Sequence, residues 1–325
     1  MGAVILGTGS CLPKKTLSNQ DLEKIIDTND EWITSRTGIK SRHIGGKGEQ
    51  TYELAAGAGR RALEDSGLRP EDIDVLIVGT ISSHMIMPSC GCFVQEQLGL
   101  VNAYAYDVNA ACSGFVYSMD IANHYVLADP EKKVLVIGAE TLSTRVNWQD
   151  RNTCILFGDG AGAVVVGHVN DENRGVVGSN LFSDGRLWKL LYMHGPVSLN
   201  PDLAVEDNPG AHIMMEGREV FKHAVIAMEG AVRGLLEKEN VDLEDVQLVI
   251  PHQANVRILK KLLQRLEIDI DKVFINVPKY GNTSAASIPI AIDEANRAGL
   301  VKDGDLVLFC SFGGGFTWGA SLLKW

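Results

Sequence analysis

ALEDSGLRPEDI at residues 62–73 recurs in altered form as LLEKENVDLEDV at residues 235–246. Both stretches carry a leucine–glutamate pair near the start and a glutamate–aspartate pair near the end. Each then enters an apolar run, VLIVG at 75–79 and LVI at 248–250, which is typical of a strand buried on both faces. Two parts of one chain that share this order of residues indicate an internal duplication.

The parallel between the two parts extends in both directions from these stretches. Helical patterns precede the apolar runs, and a second strand, a turn of small residues into a helix, and a third apolar run follow them. The predicted elements lie at 52–66, 75–79, 103–108 and 134–138 in the first part and at 219–239, 248–250, 273–277 and 306–310 in the second. Because the elements recur in the same order, we predict an α/β fold of two similar halves, each with helices layered on buried strands.

The predicted boundaries follow from this repeat. The first half comprises residues 1–170, and the second half comprises residues 217–325. The segment between them, 171–216, is rich in glycine, proline, asparagine and aspartate and shows no sustained periodicity. We expect this connecting segment to form the crossover between the halves and part of a substrate mouth.

The composition argues against several classes of protein. The 325 residues are 45% hydrophobic and 22% charged, with a formal net charge of −11. Such an acidic chain is poorly suited to bind nucleic acid or to attach to membranes through a polybasic segment. The amino terminus lacks signal-peptide and myristoylation patterns. No apolar stretch is close in length to a membrane span, which needs about 20 residues. Six scattered cysteines do not resemble a disulfide scaffold. We therefore expect a cytoplasmic protein with reduced thiols and no membrane or nucleic-acid partner.

Cys112 stands in the most informative candidate site. It follows the strand-like stretch 103–108 and a short turn, and a helical pattern follows it, so it lies at or near a helix N-terminus. There the unpaired N–H groups and the helix dipole favour the thiolate and lower the pKa of the cysteine. The alternative is an ordinary buried core cysteine. The other cysteines lack this setting, and Cys90 and Cys92 form a C-x-C pair without zinc-ligand spacing, so we expect no metal.

A histidine and an asparagine occupy strand-to-helix turns of the second half. His252 follows the strand at 248–250 within PHQAN, and Asn282 lies in KYGNTSAASIPIA. A single histidine in such a place is more often structural, and a single asparagine more often forms a turn or caps a helix. Because open α/β sheets place their sites beyond the carboxyl ends of the strands, we expect Cys112, His252 and Asn282 to form one catalytic triad.

Several motifs together resemble β-ketoacyl-[acyl carrier protein] synthase III, the initiating enzyme of fatty-acid synthesis. They are ACSGF around Cys112, PHQANVR, YGNTSAASIP and FGGGFTWG, with DTNDEWITSRTGI and FGDGAGAVV in addition, and they span nearly the whole chain. The resemblance implies the thiolase fold, in which five layers alternate helix and sheet (α-β-α-β-α), and a homodimer. It also implies an acyltransferase without a cofactor: Cys112 takes an acyl group from coenzyme A, and a malonyl group on acyl carrier protein loses CO₂ and attacks the thioester.

The same resemblance implies roles for further residues. His252 and Asn282 would stabilise the enolate formed by decarboxylation. The backbone N–H groups of Cys112 and of Gly314, one of three consecutive glycines, would hold the acyl oxygen. Met87 would line the primer pocket. The residues implied in coenzyme A binding are Thr28, Trp32, Arg36, Arg151, Gly217, Phe221, Asn255 and Ile258.

The helix expected after His252 carries a basic stripe. Leu259, Leu263 and Leu266 are predicted to face inward, which leaves four cations on the opposite side. Such a face is commonly no more than solvated. Beside an active site on an acidic chain, however, it suits an acidic partner such as malonyl-loaded acyl carrier protein. The expected docking residues are Gln253, Ala254, Asn255, Arg257, Lys260, Lys261 and Arg265.

Related chemistries define the alternatives. A degradative thiolase needs a second cysteine in a C-x-G-G-G setting, but Ser311 occupies that position and Cys310 precedes it. A one-residue slip on a strand turns the side chain to the opposite face, which excludes this alternative. A starter-unit condensing or acyl-transfer enzyme of secondary metabolism stays open. A cysteine hydrolase, which also uses cysteine, histidine and asparagine but no malonyl donor, stays open as well.

Overall fold

The computed structural model describes residues 2–171, 173–196, 198–199, 202 and 210–325. Its strands are β1 (Val4–Cys11), β2 (Lys15–Ser18), β3 (Ser41–Ile44), β4 (Val75–Gly79), β5 (Tyr104–Val108), β6 (Val134–Thr141), β7 (Asp159–Gly167), β8 (Gly175–Ser183), β9 (Leu191–Met193), β10 (Ile213–Met215), β11 (Leu248–Pro251), β12 (Leu306–Gly313) and β13 (Thr317–Lys324). Its helices are α1 (Asn19–Leu22), α2 (Asp30–Thr37), α3 (Thr51–Ser66), α4 (Cys90–Leu98), α5 (Gly114–Ala128), α6 (Arg151–Cys154), α7 (Gly217–Glu239), α8 (Val256–Leu266), α9 (Val277–Tyr280) and α10 (Ser287–Arg297).

Two larger sheets repeat one strand arrangement. The first sheet has the order β1-β7-β6-β4-β5, and the second has the order β8-β13-β12-β11. In each sheet the first two pairings are antiparallel, and the pairing of the third strand with the fourth is parallel. The first four strands of the first sheet therefore correspond to the four strands of the second, which confirms the predicted α/β class and explains the repeat in the sequence.

The predicted strand at 273–277 is wrong. Only Val273 pairs, in an isolated parallel bridge to Val249, and α9 begins at Val277. The side chain of Gln253 accepts hydrogen bonds from the backbone N–H groups of Asn276 and Val277, at 3.0 and 3.2 Å. Pro278 has no N–H to donate, and its fixed φ suits the first turn of a helix. The backbone N–H groups of Asn276 and Val277 are thus not available for strand pairing.

The two sheets and the helices form five layers. On β4, Val75 and Ile77 face the central hydrophobic cluster, and Leu76 and Val78 face an outer one. The central cluster contains α5 and α10 between the sheets, α3 and α4 cover the outer face of the first sheet, and α7 and α8 cover that of the second. Strands buried on both faces and the predicted α-β-α-β-α order are therefore confirmed.

The second sheet begins inside the segment predicted to be a connection. Residues 175–183 form β8, which pairs along its length with β13 and takes the place that β1 has in the first sheet. Repeated valines and small residues at the start of this strand are compatible with an edge position. The rest of the segment 171–216 lies partly outside the described residues, and its described part includes β9 and β10.

Two short 3-10 turns lead into the central helices. The cysteine turn, Ala111–Ser113, precedes α5, and the serine turn, Ser284–Ala286, precedes α10. Each turn begins with a non-glycine residue in the left-handed region, with φ of 45° at Ala111 and 49° at Ser284. Such residues are uncommon and are held only by surrounding structure.

Each of these turns packs against a strand of the opposite half. A Cβ atom on Gly313 of β12 would lie 2.6 Å from the amide nitrogen of Cys112, and one on Gly138 of β6 would collide with the carbonyl oxygen of Ala285. Glycine at both strand positions permits this close approach. The two halves thus build one site at their junction.

Candidate active site

Cys112, His252 and Asn282 line one cavity of about 1190 Å³. The cavity lies between the two halves, and its wall also includes Ser284 of the serine turn and Gly314. The three side chains come from the cysteine turn, the end of β11 and the residue two before the serine turn. The structure therefore brings together the three residues that the sequence pattern grouped.

The thiol of Cys112 is buried, with only 9% of the residue exposed. Burial raises the pKa of Cys112 to about 12, the nearby hydroxyl of Ser284 lowers it, and the carboxylate of Glu140 raises it. The expectation of a lowered pKa is therefore not met in this structure. Cys112 lies in the 3-10 turn, two residues before α5 begins at Gly114. Loss of hydration outweighs any stabilisation of the thiolate.

The imidazole of His252 is held in one orientation. Its Nδ1 lies 2.7 Å from the Oγ of Ser287, the first residue of α10. Its backbone N–H donates to the carbonyl of Cys310 at 2.8 Å. Burial lowers the pKa of His252 to about 3, so the ring is neutral at neutral pH. If the Ser287 hydroxyl donates to Nδ1, the proton of the neutral ring lies on Nε2, which becomes a hydrogen-bond donor.

The amide of Asn282 is also fixed. Its Oδ1 accepts the backbone N–H of Ser284 at 2.8 Å, which leaves the Nδ2 group as the donor. Its own backbone bridges to the segment before β7, where its N–H donates to Leu156 at 2.8 Å and its carbonyl accepts from Gly158 at 3.0 Å. Because Gly281 has φ of 66°, the chain can turn sharply just before this residue. Asn282, and His252 in the tautomer described, thus each present one donor group without a partner among the described residues.

The glycines after β12 complete the wall beside Cys112. Gly314 and Gly315 line the cavity, and Gly313 packs directly against the backbone of the cysteine turn. The backbone of the third strand of the second sheet therefore lies against the nucleophile candidate of the first half.

Most of the residues implied in coenzyme A binding meet at the mouth of this cavity. Six of them line it: Trp32, Arg36, Gly217, Phe221, Asn255 and Ile258. The guanidinium carbons of Arg36 and Arg151 lie 4.7 and 4.8 Å from the centre of the Trp32 ring, which is cation–π geometry. Arg151, at the start of α6, lies beside the mouth, and the hydroxyl of Thr28 is buried without a partner among the described residues.

The structure does not bring Met87 into this cavity. Met87 is 84% exposed, and its neighbours Met85 and Ile86 are 49% and 80% exposed. These three residues form an apolar tip on the loop between β4 and α4. None of the three lines the cavity, so the primer-pocket role of Met87 stays a prediction.

Gln253 is not available for docking. It is 1% exposed, and its amide donates to the carbonyls of Pro251 and Phe274 while its oxygen accepts two backbone N–H groups. Its neighbours Ala254 and Asn255 line the cavity, and Asn255 caps α8 by accepting the N–H of Arg257 at 2.8 Å. The predicted docking role of Gln253 is therefore wrong, because its side chain holds the backbone before α9.

The basic stripe on α8 is exposed but not free of acids. Arg257, Lys260, Lys261 and Arg265 are exposed, whereas the predicted inward leucines are buried. Arg265 forms an ion pair with Glu229 of α7, which also pairs with Arg233. Because Arg233 belongs to α7, the cationic surface extends over two helices and surrounds one acid.

Sequence reasoning missed three side chains of the site. Ser287 orients His252, Ser284 lies on the cavity wall beside Cys112, and Glu140 is fully buried on β6. Comparison of the repeat positions would have pointed to Ser287, since Gly114 occupies the same place in the first half. A lone glutamate at the end of an apolar strand gave no comparable signal for Glu140.

Within the described ranges, no group of three or more His, Cys, Asp or Glu side chains is placed to hold a metal ion. In the same ranges, no helix combines the length and apolar character needed to cross a bilayer.

Comparisons with known proteins show the family to which the chain belongs. Two sequence models of 3-oxoacyl-[acyl-carrier-protein] synthase III match residues 106–185 and, for its C-terminal part, residues 236–325. A β-ketoacyl-[acyl-carrier-protein] synthase III of Desulfotalea psychrophila is 58% identical over all of both chains. The chain belongs to the β-ketoacyl-[acyl-carrier-protein] synthase III family. The crystal structure of the Aquifex aeolicus enzyme of this family is 50% identical, covers all of both chains and superposes with a TM-score of 0.93.

Membership in the β-ketoacyl synthase III family confirms the thiolase fold expected from the sequence. The priming β-ketosynthase of the R1128 polyketide pathway is also similar, with 35% identity over 99% of this chain and 96% of its own, and a TM-score of 0.92. The thiolase alternative fails on structural grounds as well. Cys310 is fully buried in the outer cluster of the second sheet, away from the cavity, and burial raises its pKa to about 12.

Proposed function

We propose that this chain condenses an acyl group from coenzyme A with malonyl-[acyl carrier protein], releases CO₂, and forms a 3-oxoacyl-[acyl carrier protein] that starts fatty-acid synthesis. The observation that carries this proposal is the convergence of one thiol and two fixed neutral donors in one cavity. Membership in the family supports it independently. The reaction needs no cofactor beyond the coenzyme A thioester, which is a substrate.

The two donors suit the decarboxylation step. When the malonyl group loses CO₂, negative charge develops on its thioester oxygen, and preorganised donors stabilise such charge most effectively in a buried site. The Nε2 of His252 and the Nδ2 of Asn282 are the candidate donors. Because burial lowers the pKa of His252 to about 3, the histidine acts here as a neutral donor and is a weak base.

The cysteine turn and the glycines after β12 suit the acyl transfer step. The sulfur of Cys112 attacks the acyl carbonyl, the carbon–sulfur bond to coenzyme A breaks, and the acyl group is left on Cys112. We assign the backbone N–H groups of Cys112 and Gly314 to the acyl oxygen. Because burial raises the pKa of Cys112, the resting group is the thiol, and its proton must be accepted during the attack.

The mouth of the cavity suits coenzyme A. Trp32 offers an aromatic face for the adenine, and the two arginines beside it offer cations for phosphate. In the structure Arg36 and Arg151 occupy positions close to the ring of Trp32. Binding of an adenine against this ring would therefore require one of these arginines to move. The pantetheine arm would follow the wall formed by Gly217, Phe221, Asn255 and Ile258.

The cationic surface of α7 and α8 suits an acidic carrier protein. Arg257 lies on the cavity wall at the start of α8, and Lys260 and Lys261 follow on the exposed face of that helix. Because the chain as a whole has a net charge of −11, this local excess of cations favours one approach for an acidic partner. Ala254, Asn255 and Arg265 extend the proposed docking surface.

We also propose that the chain acts as a homodimer in the cytoplasm. The strand β5 is the last strand of the first sheet, and Tyr104 at its start is 50% exposed. The exposed apolar tip at Met85, Ile86 and Met87 lies in the loop after the neighbouring strand β4. Pairing of two such edges would cover both features.

One assay tests the proposed function. The purified protein is incubated with a panel of acyl-coenzyme A thioesters, and its intact mass is measured before and after malonyl-[acyl carrier protein] is added. We expect one acyl group per chain on Cys112, followed by loss of that mass and formation of 3-oxoacyl-[acyl carrier protein]. Release of free acid without a need for the malonyl donor would instead support the hydrolase.

A further inference from the structure

Glu140 is a buried carboxyl group behind the cysteine turn. It lies on β6, two residues beyond Gly138, and none of its surface is exposed. One oxygen, Oε2, accepts hydrogen bonds from the hydroxyl of Ser82, from the N–H of Ile81 at 3.2 Å and from the hydroxyl of Thr80 at 3.3 Å. The other oxygen, Oε1, is buried without a hydrogen-bond partner among the described residues. A buried carboxylate oxygen left unpaired in this way is costly.

Ser284 provides the counterpart on the cavity side. Its hydroxyl is also buried without a hydrogen-bond partner among the described residues, and its backbone is held in the left-handed region. The hydroxyl nevertheless lies near enough to both neighbours to lower the pKa of Cys112 and that of Glu140. The serine turn packs against β6 as closely as glycine at position 138 permits.

We propose that Glu140 acts through Ser284 as the proton acceptor for Cys112 during acyl transfer. As the sulfur forms its bond to the acyl carbon, the S–H proton passes to the Oγ of Ser284, and the hydroxyl proton of Ser284 passes to Oε1 of Glu140. The coenzyme A thiolate leaves and takes a proton from solvent. In the condensation step the enolate displaces the Cys112 thiolate, and the proton returns from Glu140 through Ser284. Glu140 is thus a positioning residue, and the inference rests on the proposed function.

The surroundings of Glu140 favour this role over that of a structural ion pair. Burial raises the pKa of Glu140 to about 7, although hydrogen bonds from Ser82, Ile81 and Thr80 and the nearby hydroxyl of Ser284 act to lower it. The titratable groups that feel its charge are Cys112 in the cysteine turn and Cys90 at the start of α4, whose pKa it raises in both cases. No cation contributes to the environment of Glu140 among the described residues. A carboxyl group poised near neutral pH can both accept and return a proton.

The test compares two half-reactions of the full-length protein across pH 5.5 to about 9, a range that brackets the pKa of a poised general base. Acylation of Cys112 by acetyl-coenzyme A is followed by rapid quench and intact mass, and decarboxylation of malonyl-[acyl carrier protein] by CO₂ release. In the unchanged protein, the plot of acylation rate against pH should have a rising limb near pH 7, because Glu140 must be ionised to accept the proton. Glu140→Gln keeps an oxygen for the donors of Oε2, and it should slow acylation by on the order of 10²-fold and remove the limb. Decarboxylation should change far less.

A matched pair of serine variants tests the route. Ser284→Ala should also remove the limb, whereas Ser311→Ala should keep it, although it deletes another hydroxyl that is buried without a partner among the described residues. Alkylation of Cys112 by iodoacetamide should not slow in Glu140→Gln, because removal of the negative charge favours the thiolate.

Three results would overturn the proposal. The first is a rising limb near pH 7 that survives in Glu140→Gln. The second is an equal loss of rate in both half-reactions. The third is a melting temperature of the variant that falls together with both rates. If the unchanged protein catalyses condensation normally in these cases, only the proton transfer from Cys112 through Ser284 to Glu140 is wrong. Absence of acylation in the unchanged protein would remove the proposed function as well.

Discussion

The two halves of this protein share a fold but differ at the positions that form the cavity. Gly79 ends β4, and His252 stands at the equivalent place after β11. Gly114 begins α5, and Ser287 begins α10. The histidine and serine are hydrogen-bonded at 2.7 Å, whereas a Cβ on Gly79 would lie 2.9 Å from the carbonyl carbon of Gly114. The first half is thus too tightly packed at this point to hold a second imidazole.

At the turns before the central helices, the functional side chains belong to the first half instead of the second. Cys112 in the cysteine turn corresponds to Ala285 in the serine turn, and Glu140 on β6 corresponds to Gly313 on β12. Gly313 leaves room for the backbone of Cys112, whereas Glu140 reaches towards Ser284. The comparison teaches that a duplicated scaffold can divide one reaction between its halves. The first supplies the nucleophile, and the second supplies the donors for the enolate.

The largest expected effect follows from removal of the nucleophile. Cys112→Ser should abolish acyl-enzyme formation and condensation, because a serine hydroxyl in the same buried place is a far weaker nucleophile. Cys310→Ser and Cys154→Ser serve as controls and should keep most activity, since both thiols are buried outside the site. Intact mass after incubation with acetyl-coenzyme A checks all three. A stable acyl thioester at another position of the Cys112→Ser protein would show that Cys112 is not the nucleophile.

The buried carboxyl of the first half should make the free energy of unfolding depend on pH. The pKa of Glu140 is raised from 4.5 to about 7, so the folded state holds a proton that the unfolded state has released. The associated stability is present below pH 4.5 and is lost as pH rises through 7, by up to about 3 kcal/mol. Glu140→Gln should not show this loss of stability, because glutamine does not titrate.

Urea unfolding at pH 5 and pH 8 checks this prediction. From pH 5 to pH 8, the unchanged protein should lose more free energy of unfolding than Glu140→Gln does. His252 has the opposite sign, because its pKa is lowered to about 3 and its contribution is lost as pH falls below 6.5. That contribution is common to both proteins and cancels in the comparison. Parallel curves for the two proteins would mean that Glu140 is not buried as a titrating acid.

The cationic surface of the second half should affect only one substrate. Arg257→Glu combined with Lys261→Glu should raise KM for malonyl-[acyl carrier protein] by on the order of tenfold at low salt and weaken its salt dependence. Acylation by coenzyme A thioesters should change much less. Lys47→Glu, an exposed cation of the first half, is the control. Equal losses with both substrates would mean that the surface binds coenzyme A instead of the carrier.

The smallest expected effect comes from an attempt to exchange the halves. Ala285→Cys, placed in the Cys112→Ser protein, should restore no acylation, because Ala285 is 1% exposed and its carbonyl packs against Gly138. Intact mass after prolonged incubation checks this. Acylation of the new cysteine would mean that the two turns are chemically interchangeable, and the proposed division between the halves would then rest on residue identity alone.

The sequence predicted the features that repeat or carry strong periodicity. The α/β class, the duplication and the strand-to-helix turns that hold Cys112, His252 and Asn282 all follow from local patterns that tertiary packing leaves intact. The strand expected at 273–277 failed because one buried side chain, Gln253, takes up its backbone donors. That contact joins residues distant in the chain, so the local pattern holds no trace of it.

The chemical state of the site was less predictable than its position. The pKa of Cys112 was expected to be lowered by the helix start, but the burial that raises it depends on packing of the second half over the cysteine turn. Glu140 was overlooked for the same reason, because its role depends on Ser284, which is distant in sequence. The exposure of Met87 could not be predicted either, because the local sequence HMIMPS does not indicate which surface of the molecule this residue lies on.

The central claim is that the first half supplies the nucleophile for acyl transfer and the second half supplies the donors that stabilise the enolate. It is tested most directly by measuring both half-reactions on Asn282→Ala. Acylation of Cys112 should stay nearly intact, while decarboxylation of malonyl-[acyl carrier protein] should slow by on the order of 10²-fold or more, as for loss of one oxyanion donor. His252→Ala should show the same split, with at most a modest acylation defect. If decarboxylation survives in Asn282→Ala while acyl transfer is lost, the two halves do not divide the reaction in this way.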